Sequence, residues 1–372
     1  MNSQNANVDL VGKEGGQGQL ASKFSGGNRL NIGAMRPFVG EDGKVYMTSY
    51  SGGPTNKKSS YKTMQINKKG TLRRDEWRQL DEAVVKIADN RLSGVQDIID
   101  RGLTYNLGNA MGTTSLEYHN VSDAMKAELS MDAVTRTEGD KVEFDSVFLP
   151  IPIIHSDYEI NQRVLENSRR LGNPLDTISA ERATRKIMEK REKMLFSDTD
   201  YNFGGGTIYS FLNFPDRIHA AGTGDQNIGN ITNWSLDATS GADIISDVLN
   251  MKQASITNNY YGPWVLYIPT NFETKLDQDY SDSKNTNTIR ERIMSINNIE
   301  DIVVVDTLPD SNVVMPQMTS DVIRIVQGLA MQNVQWETEG GFVNKFKTIS
   351  IQVPQVRGDQ EGRTGIVHAT PS

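Results

Sequence analysis

Residues 149–196, LPIPIIHSDYEINQRVLENSRRLGNPLDTISAERATRKIMEKREKMLF, are the stretch that decides the fold. An apolar segment at residues 148–154 leads into alternating apolar and polar residues, which is typical of a half-buried strand. A short polar turn follows and ends in Gly-Asn-Pro at residues 172–174. This turn predicts the start of a long helix, because proline cannot continue a helix backwards and Asp176 can accept hydrogen bonds from the free first-turn amides.

The predicted helix has one apolar and one charged face. Its apolar positions recur at helical spacing and form a single stripe; they are Ile178, Ala180, Ala183, Ile187, Met194 and Leu195. On the opposite face, Glu181 with Arg185 and Glu189 with Lys193 lie four residues apart with the acid first, which stabilises a helix. We therefore expect the stripe to pack on a sheet. The side chains expected on the exposed face are Glu181, Arg182, Arg185, Lys186, Glu189, Glu192 and Lys193.

The same stretch resembles the encapsulin shell proteins and their relatives, the major capsid proteins of tailed bacteriophages. The resemblance rests on Leu149-Pro150-Ile151 before a strand, on the turn that ends Gly-Asn-Pro-Leu-Asp at residues 172–176, and on a charged helix that ends in Leu195-Phe196. It implies an α+β subunit with the Hong Kong 97 type fold, in which the long helix is the spine of the peripheral domain. The alternative is an unrelated α+β protein with one long surface helix.

The order of the predicted helices and strands extends the resemblance over residues 71–355. The resemblance also implies how the chain is divided into structural segments. Gly262-Pro263 before an apolar strand and the segment Ile302–Leu308 add to it. The implied segments are an extended basic N-arm at 1–70, an N-terminal helical segment at 71–103, an E-loop hairpin at 104–148, the peripheral domain with the spine helix at 149–207, the axial domain at 208–340 with an inserted loop at 216–240, and a return to the peripheral domain with a C-terminal tail at 341–372.

Composition is that of an ordinary globular protein. The 372 residues are 37% hydrophobic and 23% charged, and none is cysteine. The absence of cysteine excludes disulfides, thiolate metal sites and a cysteine nucleophile, and it fits assembly in a reducing cytosol. No stretch approaches eighteen apolar residues and the N-terminus lacks the apolar core of a signal peptide, so we expect no membrane association.

Charge is distributed unevenly along the chain. Residues 1–74 carry twelve basic and four acidic side chains, a net charge of +8. The remaining residues carry −16, so the net charge of the whole chain is −8. Residues 1–70 are also rich in Gly, Asn and Ser, and such a segment buries too little apolar surface to offset the entropy of ordering it. We therefore expect an extended arm, with a short strand at 45–50, that is ordered by other subunits. A dispensable tail is the alternative.

The remaining elements follow from periodicity. We expect an amphipathic helix from residue 71 that continues past Gly94 to a stop at Gly102, and a hairpin of strands 131–137 and 142–148. Further along, the pattern predicts helices at 242–256, 270–276 and 288–296, and buried strands at 263–269 and 302–306. The last third alternates as strands at 312–315, 322–326, 331–338 and 344–353, with a polar tail after Pro354.

No residue pattern predicts catalysis, a metal or a cofactor. The four histidines are scattered, and no pair of them is spaced as metal ligands on one helix. Asp198, Asp200 and Asn202 begin like a calcium loop, but Phe203 stands where that loop needs glycine. The run of three glycines at 204–206 lacks the lysine of a phosphate loop. If the loop after Asp277 surrounds a symmetry axis, its carboxylates at 277, 279 and 282 can line a cation path, although a solvated acidic loop is the simpler interpretation.

The resemblance therefore implies a major capsid protein, located in the virion and assembled in the host bacterial cytoplasm. Its expected partners are copies of itself in pentamers and hexamers, packaged double-stranded DNA bound without sequence specificity, and portal, scaffold or decoration proteins. Lys126 and Lys141 lie where some such capsids form isopeptide cross-links with a neighbour. An encapsulin nanocompartment enclosing a cargo enzyme is the alternative, and an α+β enzyme of another family is a second.

Three sets of residues are the candidate contacts of such a protein. The symmetry-axis loop contains Asp279, Tyr280, Ser281, Asp282, Ser283 and Lys284. The E-loop residues expected to contact a neighbouring copy are Arg136, Glu138, Asp140 and Lys141. The arm residues expected to contact a neighbour or DNA are Lys57, Lys58, Lys62, Lys68, Lys69, Arg73 and Arg74.

Overall fold

A computed structural model describes residues 36–51, 60–65, 72–88, 93–108, 110–121, 144–171, 178–197, 201–280, 287–338, 343–359 and 361–371. The helices in these ranges are α1 (Arg74–Ala88), α2 (Gly94–Asp100), α3 (Gln162–Leu171), α4 (Ile178–Phe196), α5 (Gly241–Thr257), α6 (Thr270–Leu276) and α7 (Ile289–Met294). The strands are β1 (Phe38–Val39), β2 (Val45–Ser51), β3 (Ser60–Gln65), β4 (Thr104–Asn106), β5 (Ser115–Val121), β6 (Phe144–Pro150), β7 (Ile154–Asn161), β8 (Tyr201–Phe203), β9 (Gly206–Ile208), β10 (Ile218–His219), β11 (Trp264–Ile268), β12 (Ile299–Val304), β13 (Val313–Pro316), β14 (Ile323–Thr338), β15 (Val343–Val356) and β16 (Ile366–Ala369).

A five-stranded mixed sheet in the order β10-β16-β13-β11-β12 forms one half of the protein. All five residues of β11 are buried, as expected for a central strand that reads as one apolar run. The helices α5, α6 and α7 contribute buried residues to the same core. The predicted helices at 242–256, 270–276 and 288–296 and the strand at 263–269 are thus confirmed to within two residues at each end.

A four-stranded sheet in the order β4-β14-β15-β7 forms the other half. The long antiparallel pair β14–β15 runs from Ile323 opposite Val356 to Thr338 opposite Val343. The predicted break at Gly328 is instead a shift of register within one strand. A Cβ at Gly328 would lie 2.3 Å from the Cβ of Ala110, so glycine permits a close approach there.

The predicted domain boundaries do not follow these sheets. Residues 323–338, predicted as part of the axial domain, pair with β15 and β4 in the four-stranded sheet. Residues 366–369, predicted as tail, pair with β13 and β10 inside the five-stranded sheet. The predicted inserted loop at 216–240 is also anchored in a core, because Trp234 is fully buried and its indole N–H donates to Asp247 at 2.9 Å.

Two local predictions near the long helix are wrong. Residues 162–171, predicted as a turn, form α3, in which Leu165 is buried against the core. The helix at 71–102 is not one element, because residue 93 is outside any helix and α2 begins at Gly94. The expected stop at Gly102 is confirmed by its left-handed backbone, with φ of +79°. The predicted cap Asp176 lies outside the described residues.

The long predicted helix is confirmed as α4, but its buried face differs at both ends. Ile178 is 53% exposed, whereas Arg191 and Glu192 are buried. The N-terminal end of the predicted stripe therefore faces solvent, and the C-terminal end is enclosed on more than one side. On the exposed face, Glu189 pairs with Arg185 at 3.0 Å and Lys186 at 2.8 Å rather than with Lys193.

The C-terminal end of α4 caps α2. Ser93, the N-cap residue of α2, makes no side-chain capping hydrogen bond. Instead the amide of Val95 donates to Oε1 of Glu192 at 3.2 Å, and Glu192 is only 1% exposed. A carboxylate at this position satisfies amides that the helix itself leaves free and interacts favourably with the helix dipole. A residue 97 positions later in the chain thus replaces a local cap.

A second set of contacts joins α2 to α4 and to the five-stranded sheet. A Cβ at Gly94 would lie 2.4 Å from Cε2 of Phe196, so only glycine lets α2 approach α4 this closely. Phe196 meets the ring of Tyr267 on β11 edge to face, with the centroids 5.0 Å apart. The hydroxyl of Tyr267 in turn donates to Oδ2 of Asp97 on α2 at 2.8 Å. We call this group of Gly94, Asp97, Glu192, Phe196 and Tyr267 the junction.

We predict that Gly94→Ala lowers the free energy of unfolding by about 1–3 kcal/mol, the usual cost of overpacking a tight core. The added methyl group cannot fit unless Phe196 moves. Urea unfolding followed by circular dichroism measures the change. The control is Gly108→Ala, where an added Cβ meets no atom within 4 Å. Equal stability of the two variants would contradict the packing described at the junction.

Glu192 gives a second prediction, because burial raises the pKa of its carboxyl to about 6 against the lowering effects of the Val95 amide and of Arg191. A raised pKa in an acid means that the folded state binds the proton more tightly than the unfolded state. The contribution of Glu192 to the free energy of unfolding is therefore complete below pH 4.5 and is lost as the pH rises through about 6. For a pKa shift of this size, the loss amounts to about 2 kcal/mol.

Glu192→Gln keeps the acceptor oxygen and removes the titration. We expect the difference in unfolding free energy between the variant and the wild type to change by about 2 kcal/mol between about pH 4.5 and pH 7, with the variant favoured at the higher pH. Chemical denaturation at several pH values measures it. A difference that stays constant with pH would show that Glu192 does not titrate in this range.

Candidate assembly surfaces

The first candidate surface is a two-stranded ribbon. Strands β5 and β6 pair antiparallel from Ser115 opposite Pro150 to Val121 opposite Phe144. The predicted strand at 142–148 is thus confirmed in large part as β6, but its partner is residues 115–121, which the sequence did not single out. The predicted strand 131–137 and the residues Arg136, Glu138, Asp140 and Lys141 lie outside the described residues.

Exposed apolar side chains surround the base of this ribbon. Phe203 is 56% exposed and Tyr201 46%, both on β8, while Phe148 on β6 and Ile153, which follows β6, are also exposed. A cavity of about 190 Å³ lies between β8, residues 150–153 and Met111. Grouped apolar residues that face solvent on an isolated chain are characteristic of a protein interface.

The second candidate surface is the loop between α6 and α7. Its base is closed by an antiparallel bridge between Asp279 and Thr288, with the amide of Tyr280 donating to the carbonyl of Asn287 at 3.0 Å. The loop therefore leaves and re-enters the body at adjacent points. Ser281, Asp282, Ser283 and Lys284, the predicted tip, lie outside the described residues.

The base of this loop is held by charge and by stacking. Asp277 accepts a hydrogen bond from Nε of Arg290 at 2.8 Å, so its carboxylate is paired with a cation of its own chain. Tyr280 is packed close to Gly241, and the guanidinium of Arg292 lies 5.9 Å from the centre of its ring. Asp279 is exposed. Asp277, one of the three carboxylates considered for a cation path, is therefore already paired with an arginine of its own chain.

The third candidate surface is the arm, and part of it is held by its own chain. Residues 38–51 and 60–65 contribute a three-stranded sheet, β1-β2-β3, that includes the strand predicted at 45–50. Arg36 is buried, donates twice to Asp81 of α1 at 2.7 and 2.8 Å, and stacks 4.6 Å from the ring of Trp77. The indole N–H of Trp77 donates to the carbonyl of Pro37 at 3.0 Å. The expectation that residues 1–70 are ordered wholly by other subunits is therefore wrong for this segment.

The basic arm residues occupy different settings. Arg73 and Arg74 are exposed at the start of α1, and the guanidinium of Arg74 lies 5.9 Å from the ring of Phe38. Lys62 lies on β3 opposite Ser49. Lys57, Lys58, Lys68 and Lys69 lie outside the described residues, so whether they form one surface with Arg73 and Arg74 stays a prediction.

The described residues contain no cluster of metal-ligating side chains. In that part of the chain, no three His, Asp or Glu side chains are grouped as they would be around a metal ion. No described helix has the length and apolar character needed to cross a membrane.

Comparison with known families gives a match over most of the chain. The family described as "Family of unknown function (DUF6260)" matches residues 67–369, which is most of the chain. No curated protein sequence matches it.

Comparison with solved structures gives the fold. A virus-like particle from Pyrococcus furiosus is 14% identical, with a TM-score of 0.55 over 78% of this chain and 98% of that one. The capsid of Myoviridae phage XM1 is 12% identical, with a TM-score of 0.57 over 76% of this chain and 92% of that one. The capsid of the native GTA particle, computed with C5 symmetry, is 13% identical, with a TM-score of 0.54 over 76% of this chain and 90% of that one. The resemblance to capsid proteins of the Hong Kong 97 type is confirmed at the level of the fold.

The buried pair of Arg36 and Asp81 yields a prediction about the arm. We expect Asp81→Asn to lower the free energy of unfolding by about 3–5 kcal/mol if the segment remains packed, because the substitution leaves Arg36 buried without its counter-charge. If the segment detaches instead, limited proteolysis will cleave near residue 36 faster than in the wild type. Asp75→Asn, at an exposed position of the same helix, is the control. Wild-type stability together with wild-type cleavage would contradict the described anchoring.

Proposed function

The chain belongs to the DUF6260 family, and on the basis of its capsid-type fold we propose that it is a structural subunit that assembles with copies of itself into a closed shell. The observation that carries the proposal is the extent of the likeness, which spans about nine-tenths or more of each of three particle-forming chains. The exposed apolar residues around the ribbon support it, because an isolated chain gains stability by covering them. On this proposal the protein is not an enzyme and needs no cofactor.

We propose that the subunits form pentamers and hexamers around the loop between α6 and α7. The support is its geometry: the bridge from Asp279 to Thr288 closes the loop base, so the tip can project towards a symmetry axis without disturbing the core. Tyr280 and Asp279 would form the lower wall of that axis, with Ser281, Asp282, Ser283 and Lys284 at the tip.

We propose that the ribbon of β5 and β6 is the base of an E-loop that extends over an adjacent copy. The chain between Val121 and Phe144 is long enough to continue the hairpin well beyond the body. Arg136, Glu138, Asp140 and Lys141 would then contact the neighbour, and the apolar residues around Phe203 would be covered in the assembled shell.

The proposed content of the shell is double-stranded DNA, and the proposed location is a phage head assembled in the bacterial cytoplasm. The basic N-terminal part of the chain supports this content, since the net charge of +8 on residues 1–74 contrasts with the acidic remainder. Lys57, Lys58, Lys62, Lys68, Lys69, Arg73 and Arg74 would contact backbone phosphates or acidic neighbours. Portal, scaffold or decoration proteins would be further partners.

An encapsulin-type compartment is the second candidate. The likeness to the archaeal virus-like particle, of which 98% is covered, favours it. The basic arm favours the phage head, because a compartment that encloses a protein has no need of a DNA-binding arm.

Electron microscopy of the protein expressed alone and fractionated by size tests the proposal. Closed particles, or rings of five or six copies, are the expected result, and nuclease-protected DNA in the particles would distinguish a phage head from a compartment. A monomer or dimer that does not assemble over the accessible concentration range, with or without the proteins encoded beside it, would overturn the shell proposal.

We predict that replacing residues 281–286 by Asn-Gly prevents closure of particles while leaving the protein folded. The shortened loop keeps the bridge between Asp279 and Thr288 but removes the tip that would meet other copies. Electron microscopy and thermal unfolding measure the two effects separately. The matched control replaces the same residues by a Gly-Ser sequence of equal length. Particles of normal yield from the shortened variant would refute the role of the loop.

We predict that Lys→Glu substitution at Lys57, Lys58, Lys68 and Lys69 lowers DNA retention by particles, with an effect that grows as salt is reduced. Each neutralised phosphate contact contributes to the salt dependence of binding, so reversing these charges should change its slope. Nuclease protection across a salt series measures it. Substitution of Lys186, Lys190 and Lys193 on α4 is the control set, and equal retention by the two sets would refute a specific role for the arm.

A further inference from the structure

A polar cavity opens at the edge of the five-stranded sheet. Its volume is about 460 Å³, and its polar lining comes from Arg217, His219, Asn230, His368 and Thr370. Strands β10 and β16 run parallel with His219 opposite His368. Residues paired in this way point to the same face of a sheet, so the two imidazoles lie side by side.

His368 holds the arginine of this cavity in place. Its Nδ1 lies 3.3 Å from Nε of Arg217, and its Nε2 lies 2.7 Å from Oδ1 of Asn312. A guanidinium only donates, so Nδ1 is the acceptor and Nε2 carries the proton. Burial, together with the nearby Arg217 and His219, lowers the pKa of His368 to about 4. The imidazole is therefore neutral at physiological pH and orients Arg217, whose Nη1 also donates to the carbonyl of Phe214 at 2.9 Å.

His219 carries the atom that lacks a partner. Its Nδ1 is buried and has no hydrogen-bond partner among the described residues. An unpaired buried polar atom is unfavourable, and a ligand bound at this point would restore its hydrogen bond. Asn230 and Thr370, on the side of the cavity formed by the bridge of Ile231 to Pro371, add an amide and a hydroxyl.

The lining selects an anion rather than a cation. No Asp or Glu side chain is among the described residues that line the cavity, whereas a guanidinium is. Both nitrogens of His368 are already engaged, so this imidazole has no free lone pair for a metal ion. Guanidinium, imidazole, amide and hydroxyl groups are donors that together match an oxyanion with several acceptor oxygens.

We propose that this cavity is a binding site for a phosphate group, with Arg217 as the charged contact and the Nδ1–H of His219 as a hydrogen-bond donor. A phosphate offers more acceptor oxygens than a carboxylate and can meet donors from both sides of the cavity at once. The same chemistry serves free phosphate and the phosphodiester of a nucleic acid. The inference does not rest on the proposed shell function, since it follows from the lining of the cavity alone.

Equilibrium dialysis of the full-length protein against radiolabelled inorganic phosphate, at ionic strength held constant with chloride, tests the site. We expect one saturable site per chain. His219→Phe, which keeps a ring but removes the donor, should weaken binding at least about tenfold, as the loss of a hydrogen bond to a charged group does. Arg217→Lys should weaken it less than Arg217→Met. His155→Phe, at an exposed histidine on β7, is the control and should bind as the wild type does. Thermal unfolding of each variant identifies any loss of binding that is due to misfolding.

A short DNA duplex added as a competitor distinguishes the two sources of phosphate. Displacement of the label would identify backbone phosphate as a ligand, and persistence of the label would identify free phosphate. Absence of saturable binding to the folded wild type, or equal affinity of His219→Phe and His155→Phe, would overturn the proposal. Neither result bears on particle formation, which electron microscopy measures independently.

Discussion

The hydrogen bond between Glu192 and the first turn of α2 is the contact on which the arrangement of the protein depends. It places a buried carboxylate, with a pKa raised to about 6, at the end of the long helix α4. The amides that this carboxylate satisfies offset only part of the energetic penalty of burying its charge, which is why its pKa stays raised. The packing of Gly94 against Phe196 and the hydrogen bond from Tyr267 to Asp97 stabilise the same region. Through these contacts, α2 and the C-terminal end of α4 are held against β11 of the five-stranded sheet.

The three candidate assembly surfaces share one design. Each begins from a base that its own chain secures: the ribbon by pairing of β5 with β6, the loop by the bridge from Asp279 to Thr288, and the arm by the pair of Arg36 and Asp81. A secured base limits the directions in which the attached segment can reach. The proposed contacts between copies would then be selected by the folded body rather than by the segments alone.

Periodicity predicted the elements whose burial is set locally. The strand at 264–268 and the helix at 241–257 each bury a regular pattern, so a window of sequence contains the information. Periodicity failed where a side chain is buried by residues that are distant in the sequence. Glu192 belongs to a charged face by spacing, and only the amides of α2, far earlier in the chain, explain its burial. Likewise β16 is too short to be separated from a polar tail, and the paired His219 and His368 come from strands at opposite ends of the second half of the chain. The tip residues 281–284 and the E-loop residues stay predictions.

The position of β16 has a consequence for synthesis on the ribosome. This strand lies between β10 and β13, so a position inside the five-stranded sheet is filled by residues that are made after the other four strands. A nascent chain that has not reached residue 369 leaves the facing edges of β10 and β13 open, and in the finished sheet both are paired. Completion of this half of the molecule therefore waits for translation, and a partly made chain has the greater need of a chaperone at that stage.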